Sequence, residues 1–218
     1  VTDSETTDFI ETTRTSYDAI AKDYSAAHAD LPTQPVDMSL IGAFAQLVKA
    51  NGTAPVADLG SGPGHITAHL HGLGVPAFGI DLSPAMVALA REAHPGLRFH
   101  QGSMTSLDLP DETLGGILAL YSIIHVPDTH LPAAFAGFHR ALVPGGHVLL
   151  AFQKSEQPGL HITERFGHRI DLHCYWRPAY VVSDMLVKAG LEVAATLIRE
   201  PLDQEKWPRA FVLARKPA

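Results

Sequence analysis

The sequence predicts an α/β fold, a mostly parallel seven-stranded sheet with helices on both faces and an antiparallel last strand. Three observations predict it. From residue 55 onward, short apolar runs alternate with segments whose apolar residues recur at helical spacing, the pattern of strands joined by crossover helices. The run VADLGSGPGH, residues 56–65, turns a strand into a helix over glycines at 60, 62 and 64, where positive φ angles and a close approach to the main chain become accessible. The last two apolar runs are joined only by the loop EPLDQEKWPRA, which suits an antiparallel pair because a parallel pair needs a crossover.

Taken in order, residues 1–13 read as frayed. YDAIAKDYSAAH places Tyr17, Ile20, Ala21 and Tyr24 on one helical face, DLPTQP interrupts it, and DMSLIGAFAQLVKANG forms a second helix ended by Asn51-Gly52. Residues 55–59 are the first strand, and 64–73 a helix with Ile66, Leu70 and Leu73 on one face. AFGI is the second strand, running into Asp81; Ser83 as N-cap and Pro84 as first helical residue start a helix through Ala93. LRFH and LGGILALY are strands three and four. Leu131, Phe135, Phe138 and Leu142 form the stripe of the next helix, which VPGG turns into strand five, HVLLAF. A polar insertion over 153–177 precedes a helix from about 178 to 189 and the strands EVAATLIR and AFVLARK.

A chain of 218 residues, 46% apolar and 18% charged, suits one globular domain spanning 1–218. Its net charge of −7 and lack of a dense Lys or Arg run argue against nucleic acid as partner. No apolar run is long enough for a bilayer, and VTDSETTDFIETTR is unlike a signal peptide. The single cysteine, Cys174, has no partner for an internal disulfide and reads as a packed thiol. A cytoplasmic monomer or homodimer, away from membranes, is expected.

The dinucleotide fingerprint needs its third glycine at 65, where this chain has His65. Asp58, two residues before the first glycine, would repel a pyrophosphate and favours a cationic, phosphate-free ligand; capping of its own loop is the alternative role.

VADLGSGPGH resembles the first motif of the class I methyltransferases that use S-adenosylmethionine (SAM), and GIDLSPAMVALARE the second. QGSMTSLDLP is similar to the third, LGGILALYSIIHVPD to the fourth, and ALVPGGHVLLAF to the turn and strand after it. The resemblance runs from about Tyr17 to the end and implies a Rossmann-like methyltransferase fold. It implies residues 1–50 as a helical lid and 153–177 as a substrate-side insertion. Gly60, Ser61, Gly62 and Gly64 would carry the loop at the cofactor's amino-acid part, with Asp58 beside it. Asp81 would accept from both ribose hydroxyls, Leu82 would pack on the adenine, and Ser103 and Met104 fall at an adenine contact where many relatives have an acid at 103. Tyr121 and Ser122 would flank the methionine part. Tyr17 and Tyr24 resemble lid aromatics, though a plain amphipathic helix explains them as well.

The implied reaction is methyl transfer to an oxygen or nitrogen of a small molecule, with S-adenosylhomocysteine as product. His125, directly after strand four, is the candidate base, or a residue that only shapes the pocket. His161, Arg165, His168, His173 and Trp176 in the insertion are candidate acceptor contacts. Their histidine spacing fits no zinc pattern, so no metal is expected, and a solvated loop explains the cluster. The rival functions are a non-catalytic SAM-binding regulatory module and a protein or nucleic-acid methyltransferase. Amino-methylating DNA enzymes carry Asn or Asp, Pro-Pro and an aromatic where this chain has LYSIIH.

Overall fold

The computed structural model describes residues 3–28, 34–202 and 205–218. Five parallel strands come first: β1 (Val56–Leu59), β2 (Ala77–Asp81), β3 (Arg98–Gln101), β4 (Leu114–Leu120) and β5 (Leu142–Gln153). Two more, β8 (Glu192–Arg199) and β9 (Arg209–Arg215), complete a seven-stranded sheet of order β3-β2-β1-β4-β5-β9-β8. The pairs among β1 to β5 are all parallel, while β9 runs antiparallel to both β5 and β8. The chain's last strand thus slots between β5 and β8 and leaves β8 at the edge. Order reverses between β1 and β4, the place where sheets of this kind open a crevice beyond their strand ends.

The helices are α1 (Asp3–Ala27), α2 (Pro35–Ala50), α3 (His65–Gly72), α4 (Pro84–Ala93), α5 (Leu131–Ala141) and α6 (Ala179–Lys188). They sit where apolar spacing puts them. Phe135 and Phe138 of α5 and Val182 and Leu186 of α6 bury one face of the sheet with Ile117 and Val212. Ile41, Phe44 and Val48 of α2 and Leu70 of α3 cover the other with Val56, Leu118 and Leu149. Each fully buried aromatic or branched side chain contributes about 1.5–3 kcal/mol of transfer free energy. The N-cap expected at Ser83 is present, its Oγ accepting the Met86 N–H at 3.1 Å.

Three expectations are corrected. Residues from Asp3 onward are helical rather than frayed, and Phe9 meets the ring of His130 at 4.8 Å between centroids. VPGG lies within β5, its irregular geometry absorbed where the β4–β5 register shifts after Leu114↔Leu142. The insertion holds a second sheet, β6 (Leu160–Arg165) paired antiparallel with β7 (His168–Cys174), instead of a loop. Phe166 and Gly167 turn it, both at positive φ, which matches the right-handed twist of a two-residue hairpin. Its inner residues Ile162, Ile170 and Leu172 pack on Ile20, Tyr17 and Tyr24 of α1. Most of the expected break at DLPTQP, and part of the loop EPLDQEKWPRA, lie outside the described residues.

Candidate active site

The carboxyl ends of β1, β2 and β4 and the inner face of α1 enclose one cavity. Its open space, mouth included, is about 790 Å³. Of the expected cofactor contacts, Gly60, Gly62, Asp81, Leu82, Ser103 and Met104 line it, and so do Tyr121, Ser122, Tyr17 and Tyr24. His125 joins them. Among the described lining residues Asp81 is the one carboxylate, and neither Lys nor Arg is present.

The glycine turn is shaped by contact. Gly60 sits at φ +74, and a Cβ there would fall 2.4 Å from the Ser122 Cβ. Ser122 is in turn tied by its hydroxyl to the Leu59 carbonyl at 2.7 Å. Asp81 then fixes the loop, one carboxylate oxygen accepting the Gly62 N–H at 2.8 Å and the other the Ser83 N–H at 2.9 Å. Each oxygen keeps a lone pair for a further donor. Burial pushes the Asp81 carboxyl up despite these two donors.

Three residues expected at the ligand stand behind it. Asp58 is buried and accepts the Thr67 hydroxyl of α3 at 2.6 Å; burial raises it to about 7. It acts on the turn through α3 and does not line the cavity. Ser61 is buried with its Oγ unpartnered. Gly64 is small because a Cβ would fall 2.6 Å from the Phe99 ring.

Tyr121 ends β4 at φ +54, a conformation costly for a non-glycine residue, with its N–H on the Ala151 carbonyl at 2.7 Å. The chain then folds into a single 3-10 turn, Ile123–His125. His125 is buried between two partners: Nδ1 lies 2.9 Å from the His173 carbonyl and Nε2 2.8 Å from the Tyr17 hydroxyl. A carbonyl only accepts, so Nδ1 carries the hydrogen and Nε2 accepts the Tyr17 O–H. Burial lowers the His125 pKa to about 4, leaving a neutral imidazole at physiological pH. Cys174 stays a thiol, pushed up to about 11 by burial.

Arg177, almost fully buried, clamps this turn by donating to the carbonyls of Ile123, Tyr175 and Val126 and to the Asp128 carboxylate. On the other side, Asp18 of α1 caps α4, accepting the Ser83 hydroxyl at 2.5 Å and the Ala85 N–H at 3.2 Å. An anion there is favoured by the helix dipole. Neither residue stands out in the sequence, since both act on distant backbone.

The sequence also passed over Phe9, Ile10 and Thr13, which line the cavity from α1. A signal existed, because Ile10, Tyr17 and Tyr24 repeat every seven residues.

None of the five acceptor-side residues is among the described residues that line the cavity. His161 and His173 occupy the hairpin's outer face, their rings stacked at 4.1 Å. His168 pairs with Asp23 at 3.0 Å, Trp176 packs on Trp207, and the Arg165 guanidinium lies 5.3 Å from the Tyr24 ring centre. The hairpin's inner face is apolar and is spent on α1, so alternation sends these polar side chains outward or to its rim. No described helix is long and apolar enough to cross a membrane.

Residues 56–146 match a family model described as a methyltransferase domain. The chain is 32% identical over 92 residues to a demethylmenaquinone methyltransferase of Chlorobaculum parvum, covering 42% of this chain and 37% of that one. It is 44% identical over 75 residues to a trans-aconitate 2-methyltransferase of Escherichia coli, covering 34% and 29%. The alignments thus span about a third of the length of these curated relatives. Among solved structures, the [4+2]-cyclase SpnF superposes with a TM-score of 0.75 at 16% identity, over 96% of this chain and 97% of that one. Magnesium protoporphyrin IX methyltransferase of Synechocystis, with bound SAM, gives 0.70 at 15% identity over 95% and 97%. At such identities the likeness is one of fold.

Proposed function

We propose that the chain is a class I SAM-dependent methyltransferase, a reading supported by its match to a methyltransferase-domain model over residues 56–146, and that it moves a methyl group from SAM to an oxygen or nitrogen of a small molecule. The observation that carries this reading is the charge of the cavity: one carboxylate, Asp81, and no Lys or Arg among its described lining residues. Such a wall offers no counter-charge to a phosphate and suits a nucleoside bearing an ammonium and a sulfonium.

The residues present fit that group. Asp81 would take the ribose hydroxyls on its free lone pairs, and the main chain at Gly60 and Gly62 would face the amino-acid part. Leu82 and Met104 would hold the adenine, with Ser103 as a polar contact at its edge. Tyr17, Tyr24 and Phe9 keep water from the reacting end. SAM, when bound, supplies a methyl on a sulfonium whose departure leaves a neutral thioether that needs no proton.

His125 is proposed to take the acceptor's proton. Its Nδ1–H is held by the His173 carbonyl, so the Nε2 lone pair serves as base once an acceptor hydroxyl displaces the Tyr17 O–H. A pKa near 4 makes it a weak base. That suffices for an oxygen that turns strongly acidic as its bond to carbon forms. Arg165, over Tyr24, is the proposed cation for an anionic acceptor. The curated relatives are named for demethylmenaquinone and trans-aconitate, both small molecules, which supports that acceptor class.

A second reading, a SAM-binding module without catalysis, is favoured by one observation: Tyr17 already occupies the Nε2 of His125. The test is to incubate the chain with methyl-labelled SAM and a panel of quinols, phenols, carboxylates and amines. Labelled acceptor with stoichiometric S-adenosylhomocysteine supports transfer; SAM binding with no labelled product across the panel supports the module.

A further inference from the structure

We propose that the outer face of the β6–β7 hairpin is a binding site for a zinc-class divalent cation, with His161, Asp171 and His173 as ligands. The placement follows from strand geometry. His161 and His173 are directly paired across the two strands, and Asp171 lies two residues before His173, hence on the same face. The opposite face, with Ile162, Ile170 and Leu172, is packed against α1, so the hairpin cannot flip to hide the three ligands. The positive-φ turn at Phe166 and Gly167, with the register shift between Ile162 and Glu164, sets the pairing that brings the two imidazoles together.

Distances support a shared ion. The Nε2 of His161 lies 2.7 Å and that of His173 3.7 Å from the same Asp171 oxygen. All three ligand atoms fall within 4.8 Å of one another. Ligands at about 2.0–2.2 Å from a tetrahedral zinc stand roughly 3.4 Å apart, a value between these two separations. Small ring rotations, open to side chains that are 47%, 59% and 50% exposed at the expense of the His161–His173 stack, would close the remaining difference. Two imidazole nitrogens with one carboxylate favour zinc, cobalt or nickel over calcium or magnesium, which take oxygen ligands. A fourth position stays open to water.

The site also touches the cavity through the backbone. The carbonyl of His173 holds the Nδ1–H of His125, so an ion that pins β6 to β7 steadies the strand that orients that imidazole. This differs from the loop expected from histidine spacing alone, because the three ligands come from two strands and meet only in the folded hairpin.

The experiment is equilibrium dialysis of the whole chain against zinc near neutral pH, with bound zinc counted per chain. H161Q/H173Q and Asp171→Asn are compared with wild type, and H71Q, at an exposed histidine of α3, serves as control. Wild type and H71Q are expected to hold one zinc more than the double variant, with Asp171→Asn binding about tenfold more weakly. Zinc should raise the melting temperature of wild type and leave that of the double variant unchanged. Equal zinc in wild type and double variant, or none in wild type, overturns the proposal. Cobalt gives a readout on the unaltered chain: a tetrahedral visible spectrum that zinc erases supports the site, and a spectrum identical to aqueous cobalt overturns it.

Discussion

Residues 56–146 and the pairing of α1 with the β6–β7 hairpin build the two sides of one cavity, and they are built differently. On the first side, the contacts that place the site residues stay within this one run of the chain. Gly60 turns against Ser122, Asp81 accepts from Gly62 on the neighbouring strand's loop and from Ser83 two residues on, and Ser83 caps the helix it precedes. On the second side, every functional contact joins residues far apart in the chain. Tyr17 meets His125, Asp18 meets Ser83 and Ala85, and the Ser16 hydroxyl accepts the Asp171 N–H at 3.0 Å. The difference teaches that one side of the cavity is closed within a single contiguous run of the chain, whereas the wall facing it depends on packing between distant segments.

The sharpest way to break this contrast is at Arg177, the residue that joins the two sides. Arg177→Ala strips donors from three carbonyls and leaves Asp128 unpaired. It should cost about 3–5 kcal/mol in urea denaturation, as loss of one member of a buried charged network does. A change under about 1 kcal/mol would mean the turn carrying His125 is held by other means.

On the side built within 56–146, Gly60→Ala should cost about 2–4 kcal/mol, combining a left-handed backbone penalty with the clash against Ser122. Chemical denaturation measures it, and a neutral result would show that the turn relaxes freely.

Asp58 tests the same side through pH. Its carboxyl is raised from 3.8 to about 7 by burial, so between those values the folded chain holds a proton that the unfolded chain has released. That contribution is complete below 3.8 and is lost as pH rises through about 7. Asp58→Asn keeps an acceptor for Thr67 and should flatten the slope, adding on the order of 2 kcal/mol at the alkaline end. Parallel stability–pH curves for the two proteins would contradict the assignment.

The smallest effect is expected at α1. Tyr17→Phe removes one hydrogen bond and leaves the Nε2 of His125 unpartnered, about 1 kcal/mol. Amide exchange should accelerate across α1 and β7 while the β1–β4 core stays protected. Faster exchange spread evenly over the sheet would erase the distinction between the two sides.

The same distinction explains what the sequence made legible. The strands and helices along the chain, the glycine turn and Asp81 could be read because periodicity and turn chemistry act over a few residues. The hairpin was missed although Ile162, Ile170 and Leu172 alternate with polar neighbours, since the histidine-rich composition masked the period of two. The helix from Asp3 was missed because its acidic, threonine-rich face reads as solvated; packing against the cavity overrides propensity there. Arg177 and Asp18 left no signal at all, because nothing local distinguishes a buried arginine from an exposed one.

The account rests on Asp81 as the lone carboxylate among the described lining residues of the cavity, none of which is Lys or Arg, and calorimetric titration addresses it directly. SAM should bind the wild-type chain and NAD should give no heat. Asp81→Ala should weaken SAM by about a hundredfold, the loss of two charge-assisted hydrogen bonds. Tight binding of NAD, or unchanged SAM affinity in Asp81→Ala, would contradict it.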